Sequence, residues 1–566
     1  MTALSGLAPV RVWQRRPRLI YGVCIFLLVS SLLIGGGTRA GFLSDAVLQL
    51  LAVPALLIAL TSLMDLPTWR TTIKPNTSWA LAFCFAIALV PLLQLIPLPP
   101  LIWTKLPGRE AIVNVLSLVG DHLPWRPISV SPSATWVSFL SLLPPIAIFL
   151  SAIQLGYRER RQLSLVIIAI GILSAFLGLL QVAQGPNSSL RFFAITNSTE
   201  AVGFFANRNH FAALLYVVLL FAAAWAIDIG SRAASWTDLR SFDAATLLAV
   251  TAILVVFVVV IAGEAMARSR AGLIFTIISL MAIFALSFMD RRRTGTAGKQ
   301  SKLLLAAILL AVTMSVQFAL YRILDRFGSD PLENARVIFG RNTIHAAMAF
   351  MPFGAGLGTF VPVYQMFERP GDILANVYAN HAHDDVLELC LETGIIGPIL
   401  LLLFLAWVGF RAVTLWRRPP HDMGGFDYVL SWAAIVGVGL LIAHSVLDYP
   451  MRTGAMMAVF AICCALLFEP LRGTEGARNF EAAPSKSAAP HKLPAIAPGP
   501  SPLPAWIPTK GPATGNAVPA TRPHQLPERW GDDVEWPEEW RKSGKPRGPR
   551  PPDAEPEPKP TAESEE

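Results

Sequence analysis

Charge is scarce in this 566-residue chain: Asp, Glu, Lys and Arg together make up 15% of it. Soluble globular proteins carry closer to a quarter. With 54% hydrophobic residues as well, the composition excludes an ordinary soluble enzyme. Cysteine is also sparse. The five residues Cys24, Cys84, Cys390, Cys463 and Cys464 all lie in or beside apolar runs. None has metal-ligand spacing, so they exclude a zinc module or a disulfide scaffold and read as small buried apolar residues. The net charge of +8 is 46 basic minus 38 acidic side chains. The basic residues cluster in short loops between apolar runs, which points to membrane orientation rather than to nucleic acid.

What is present is a series of apolar stretches of roughly 20 residues, the length a helix needs to cross a bilayer. They are too long for barrel strands. The expected fold is all-α, a polytopic membrane helix bundle of about 12 spans. The spans fall near 19–37, 43–64, 78–97, 134–155, 163–183, 210–229, 244–262, 272–289, 302–320, 393–416, 428–447 and 454–471. The first follows Arg11, Arg15, Arg16 and Arg18 with no A-x-A-like cleavage site after it, and reads as an uncleaved helix. Alternate loops carry the other basic groups, among them Arg70 and Lys74, Arg158 to Arg161, Arg291 to Arg293, and Arg417 with Arg418. All fall on one side of a 12-span topology, so both termini are expected in the cytoplasm.

Four segments then share the opposite face: 98–133, 184–209, 263–271 and 321–392. The last is too long for a plain connection and is expected to hold short helices. Its residues 333–351 are good helix formers, and Pro352 ends them. The membrane domain covers 1–472. Residues 473–566 contain 20 of the 45 prolines and read as a disordered cytoplasmic tail.

The long loop ends in Asn380-His381-Ala382-His383-Asp384-Asp385-Val386-Leu387-Glu388-Leu389, at the mouth of a span. Ionisable groups there are costly and usually functional. On a helix His381 and His383 would point apart. On extended chain they could meet at a metal with Asp384 or Asp385. The favoured reading is a catalytic base, since imidazole suits proton transfer near neutral pH. Glu388, one helical turn before Glu392, or a neighbouring Asp could orient that base, or the acids could cap a helix. Arg268 and Arg270 open another span at the same face, with Glu264 as a candidate partner for Arg268. Arg270 is favoured for phosphate because guanidinium is a planar fork. Asn207, Arg208, Asn209 and His210 enter a third span and could bind sugar hydroxyls or cap the helix. Arg336 and Arg341 precede Gly354, Gly356 and Gly358, which form either a phosphate-cradling loop or a tight turn. His444, Asp448 and Arg452 could complete the site or pair among themselves.

Together these segments resemble the O-antigen ligase and polysaccharide polymerase family of bacterial inner membranes. The matching stretches are Gly203–Leu214, Ser269–Leu273, Arg341 with Pro352–Phe360, and above all Asn380–Gly397. The similarity covers about 160–470. It implies a GT-C-like bundle with a large periplasmic loop (321–392) over a lipid-accessible cleft. It also implies inverting, metal-independent transfer of glycan from undecaprenyl pyrophosphate to an acceptor hydroxyl, with no cofactor. By the resemblance, His383 is the base, and Arg270 and Arg341 hold the pyrophosphate. Asp384 stands where many relatives have Asn. Arg208, Asn209, His210, Arg268, Asn380, His381, Asp384 and Glu388 are the expected substrate contacts.

The expected partners are the lipid-linked glycan, an acceptor glycan or glycolipid, membrane lipid and other polysaccharide assembly proteins reached through the tail. Ligase and polymerase share donor and chemistry and differ in acceptor; the reading leans to the polymerase or exopolysaccharide role. The alternatives are a flippase for the same lipid-linked sugars and a non-catalytic scaffold of an export complex. A flippase would string polar residues through the bilayer midplane, whereas here the ionisable residues gather at one face.

Overall fold

The computed structural model describes residues 8–39, 42–64, 75–120, 122–233, 244–294, 331–373, 378–419 and 423–470. These lie within one compact unit, Met1–Ser485. The expected span 302–320 and the Pro-rich tail fall outside the described residues. No strand occurs among the described residues.

Among the described residues, seven helices are long and apolar enough to cross a membrane, and four shorter apolar helices accompany them. The N-terminal half supplies α1 (Ala8–Ile34), α2 (Leu43–Met64), α3 (Pro75–Gln94), the short α4 (Pro100–Trp103) and α5 (Glu110–Ser117), then α6 (Pro132–Ser141) and α7 (Leu143–Ala152). The expected span 134–155 corresponds to one candidate span, Pro132–Ala152, made of α6 and α7 with an interruption at Leu142, just before Pro144 and Pro145 in the first turn of α7. Next come α8 (Tyr157–Gln184), α9 (Arg208–Ala233), α10 (Ala244–Ala267) and α11 (Arg270–Thr294). The expected helix at 333–351 is α12 (Pro331–Phe350), followed by α13 (Phe360–Phe367) and α14 (Asp385–Thr393). The bundle closes with α15 (Ile396–Arg417), α16 (Gly425–His444) and α17 (Gly454–Leu466).

Helix α9 is the hub. It packs on α8, α10, α11 and α16, and every side chain from Phe211 to Leu220 is fully buried. Close approach rests on small residues, as expected where lipid and side chains are equally apolar. A Cβ at Gly171 of α8 would lie 2.4 Å from Val218 of α9. Helix α15 is the opposite case. Leu402, Leu403, Phe410 and Trp416 are exposed on it, as suits a helix facing lipid.

Two ends of the bundle follow from the alternation. At one end lie the starts of α8 and α16 and the ends of α15 and α17. There Arg160 is buried and donates to the carbonyls of Ala152, Ile153, Ala465 and Phe468. Arg161 pairs with Asp427 at 2.5 Å. Two of the arginines read as orientation signals therefore also tie helix ends together. At the other end, α12, α13 and α14 build a second small core from Phe339, Phe350, Phe360, Tyr364, Ala382 and Leu391. The described part of the long loop, 331–373 and 378–392, is thus a packed cap. The segment 98–133 also lies at this end: Trp103 is buried and donates to the Pro124 carbonyl, while Trp125 is exposed.

Candidate active site

The segment before α14 is fixed from several sides. Asp384 is the N-cap of α14, its side chain accepting from the Val386 and Leu387 amides. The Asp385 amide donates to the Ser445 carbonyl at 2.7 Å. Glu388 reaches back and accepts from the Ala382 amide at 3.0 Å. Between these anchors His383 takes φ +55°. A non-glycine residue in the left-handed region costs about 1–3 kcal/mol and is found at functional sites.

The two histidines diverge. His381 Nδ1 lies 2.9 Å from Glu388 Oε1 and Nε2 lies 3.1 Å from the Thr38 carbonyl. Both neighbours are acceptors, so both nitrogens donate and the ring is a cation. Burial opposes that charge, but the Glu388 carboxylate outweighs it and lifts the His381 pKa. A ring with no free lone pair is not a base. His383 differs: Nδ1 lies 3.1 Å from Asp448 Oδ1, and Nε2 has no hydrogen-bond partner among the described residues. The carboxylate selects the Nδ1–H tautomer and leaves Nε2 able to accept a proton. Glu388, a candidate for orienting the base, pairs with His381 instead, and the carboxylate at His383 is Asp448.

Asp448 is itself held. Asn209 donates to its Oδ2, and the Tyr449 amide donates to Oδ1 at 3.0 Å. Asn209 in turn accepts from the Ser269 hydroxyl at 2.8 Å. Burial by itself would raise the Asp448 pKa, yet His383, His210 and Arg336 hold it well below the usual carboxylate range. Tyr449 is the ring around which the imidazoles stand, with centroids 4.8 Å from His210, 4.3 Å from His381 and 4.9 Å from His383. Phe339 stacks on the His383 ring at 6.2 Å.

The arginines are distributed unevenly. Arg336 of α12 approaches Asp448 at 3.8 Å, and its side chain is 40% exposed. Arg341 pairs with Asp372 at 2.7 Å. Arg270 opens α11 directly beside Ser269, whose hydroxyl caps that helix by accepting from the Gly272 amide. Arg268 is partly buried with φ +51°. Glu264, expected to pair with Arg268, instead accepts from Thr276 at 3.1 Å. Arg208 pairs with Glu200 at 2.7 Å. Asn207 accepts from the Asn209 amide as a cap of α9. His210 is fully buried, with neither ring nitrogen bonded among the described residues.

Arg452 was one member of a loosely drawn group in the sequence. It meets Glu392 at 2.8 Å, Asp385 at 3.1 Å and Glu388 at 3.4 Å. Burial pushes the Asp385 carboxyl up to about 6. Burial works the same way on Glu388, but Arg452, His381 and the Ala382 amide pull it down to about 2.

The glycine-rich stretch is a turn. Its amides are consumed internally: Ala355 donates to Leu391, Gly356 to Glu392 and Leu357 to Gln94. Amides so bonded are not available to cradle phosphate. The turn packs so closely on the end of α14 that a Cβ at Gly394 (φ +60°) would fall 2.0 Å from the Pro352 carbonyl. No group of three or more His, Cys, Asp or Glu is spaced to hold a metal ion among the described residues.

Chemically, the arrangement is an oriented imidazole with a free Nε2 beside cationic side chains, all at one end of the bundle. Asp448→Asn tests the orienting role. An amide can present its NH₂ to Nδ1 and stabilise the wrong tautomer, so turnover should fall by about 10²-fold or more, with the substrate KM nearly unchanged. A KM change with kcat intact would remove Asp448 from this role.

No curated protein matches the chain. Residues 245–402, which run from α10 through the His381–Glu392 segment into α15, match the family model described as O-antigen ligase, so this part of the chain is similar to that family.

Proposed function

We propose that this protein transfers glycan from an undecaprenyl-pyrophosphate-linked donor to an acceptor hydroxyl at the periplasmic face of the bacterial inner membrane. The acceptor oxygen attacks the anomeric carbon from the face opposite the diphosphate. The carbon–oxygen bond to the diphosphate breaks, the configuration inverts, and the acceptor proton passes to His383 Nε2. Negative charge grows on the leaving diphosphate, and guanidinium groups meet it without a divalent ion. Arg336 joins Arg270 and Arg341 in that role. The His383–Asp448 pair carries this reading, because a base with one nitrogen fixed and the other free is what a hydroxyl nucleophile needs. Asn380, His381, Asp384 and Glu388 shape the loop that presents it, and Asn209 acts through Asp448. Between the two roles of such enzymes we favour the polymerase.

The test uses purified full-length protein, lipid-linked oligosaccharide and acceptor. Transfer with inverted anomeric configuration is expected to continue in excess chelator. Loss of transfer on chelation, restored by a divalent ion, would remove the arginines from their proposed role. Arg336→Ala is expected to slow transfer more than Arg341→Ala, since Arg341 is neutralised by Asp372. Equal losses would reject that ranking. Product that lengthens marks a polymerase, and product on a new carrier marks a ligase.

A further inference from the structure

A cavity of about 740 Å³ opens on the other side of the Asn380–Asp384 segment, lined by His381 and not by His383. We propose that it is a saccharide subsite that holds the acceptor glycan, separate from the place of the diphosphate. The proposal rests on the glycosyltransferase reading above.

The volume is in the range of ligand pockets, about 300–1,000 Å³. The walls come from the α1–α2 connection, α2, α6, the cap helices and the outer turns of α15 and α17. The floor is aromatic: Phe404 and Phe460 lie 5.5 Å apart. Phe404 is eight residues past the start of α15, so the cavity descends about 12 Å below the helix end at 1.5 Å per residue. The carboxylates of α14, with His381 and Arg452, stand at the upper end, while Gln49 and Ser141, hydrogen-bonded to each other, lie deeper along α2 and α6.

Charge decides the occupant. Four carboxylates line the cavity, Asp45, Asp385, Glu388 and Glu392, against Arg39, Arg452 and the protonated His381. The formal sum is 3 − 4 = −1. The cations are engaged already. Arg452 is shared among three of the acids, both His381 N–H groups are bonded, and Arg39 lies 5.3 Å from the Tyr378 ring. A diphosphate would meet net negative charge here, whereas Arg336 and Arg341, each in a single ion pair, keep 40% and 49% of their side chains exposed on the cap. A sugar is the complementary ligand. Its hydroxyls donate to carboxylates and exchange hydrogen bonds with the Thr38 and Ser138 hydroxyls, which have no side-chain partner among the described residues. Its C–H faces suit the aromatic floor. The donor's first sugar is bonded to the diphosphate and must stay near the arginines. The glycan free to extend into an acidic chamber is the acceptor.

The experiment labels Ser138→Cys with a membrane-impermeant maleimide in the full chain. None of the native cysteines lines the cavity. The probes are uncharged oligosaccharide released from the host's own surface polysaccharide, inorganic pyrophosphate, and undecaprenol. Oligosaccharide is expected to slow labelling several-fold, and the other two to leave it unchanged. In parallel, Gln49→Phe narrows the cavity. It should raise the acceptor KM about tenfold, a loss of about 1.4 kcal/mol, with the donor KM unchanged. Protection by pyrophosphate would overturn the proposal in favour of a diphosphate site, and protection by undecaprenol in favour of a lipid slot. Absence of protection by oligosaccharide while wild-type transfer proceeds would overturn it alone. Absence of wild-type transfer with protection intact would instead overturn the parent glycosyltransferase reading and support a glycan-binding cavity.

Discussion

His383→Ala is expected to lower glycan transfer by about 10²–10⁴-fold, the usual contribution of a positioned base, with donor binding retained. Only His383 among the neighbouring imidazoles combines a fixed Nδ1 with an accessible Nε2. His381 donates from both nitrogens, and His210 is fully buried. The protein should still fold, because Asp448 keeps the Asn209 and Tyr449 hydrogen bonds when the imidazole leaves. His383 also sits at φ +55°, where glycine is at no disadvantage and alanine costs about 1 kcal/mol or more. His383→Gly should therefore be more stable than His383→Ala yet equally slow. The space it opens should let added imidazole restore part of the rate. Transfer at the wild-type rate in either variant would end the base assignment. Loss of donor binding along with the rate would turn His383 into a binding residue.

The membrane bundle was legible because bilayer thickness imposes a length and lipid imposes apolarity. Among the described residues, eleven apolar helices stand where the runs of Leu, Val, Ile and Ala placed them. The grouping of His383, Asn209, Ser269 and Asp448 at one end follows from the same count. Partner choice was not legible. Asp448 is 65 residues from His383, and nothing local distinguishes it from an acid that merely ends a helix. The preference of Arg336 over Arg341 for the Asp448 side is helical phase. Five residues turn a helix about 140° beyond one full revolution, so the two side chains leave α12 in different directions and only Arg336 starts toward Asp448. The hydrophobic positions Ala335 and Phe339, buried on α12, could have signalled which face turns inward. Glycines mark positive φ in a phosphate loop and in a tight turn alike, and with no strand before them the tight turn is the better reading. Where the amides point is set by α14 and Gln94, far away in sequence.

Arg452→Leu is the substitution expected to cost most stability, about 3–5 kcal/mol, the range for removing one partner of a buried ion pair. It strands Asp385, Glu388 and Glu392, all buried, around a missing cation. The pH dependence identifies the cause. In the wild type, Glu388 has its pKa depressed to about 2. Its contribution is fully present above its unfolded value of about 4.3 and fades as pH falls toward 2. Asp385, raised to about 6, acts the other way: the native state takes up its proton first, so stability rises as pH falls from 6 to about 3.9. Without Arg452 all three carboxyls shift upward and behave like Asp385. The variant's deficit should be greatest near pH 8 and shrink as pH falls through 6, measured by thermal unfolding in detergent. Adding Glu392→Gln should recover part of the loss by removing one stranded charge. A deficit of the same size at pH 8 and pH 5 would mean lost packing rather than lost charge. Normal stability with abolished transfer would move Arg452 from mooring the His381–Glu388 loop to acting on the substrate.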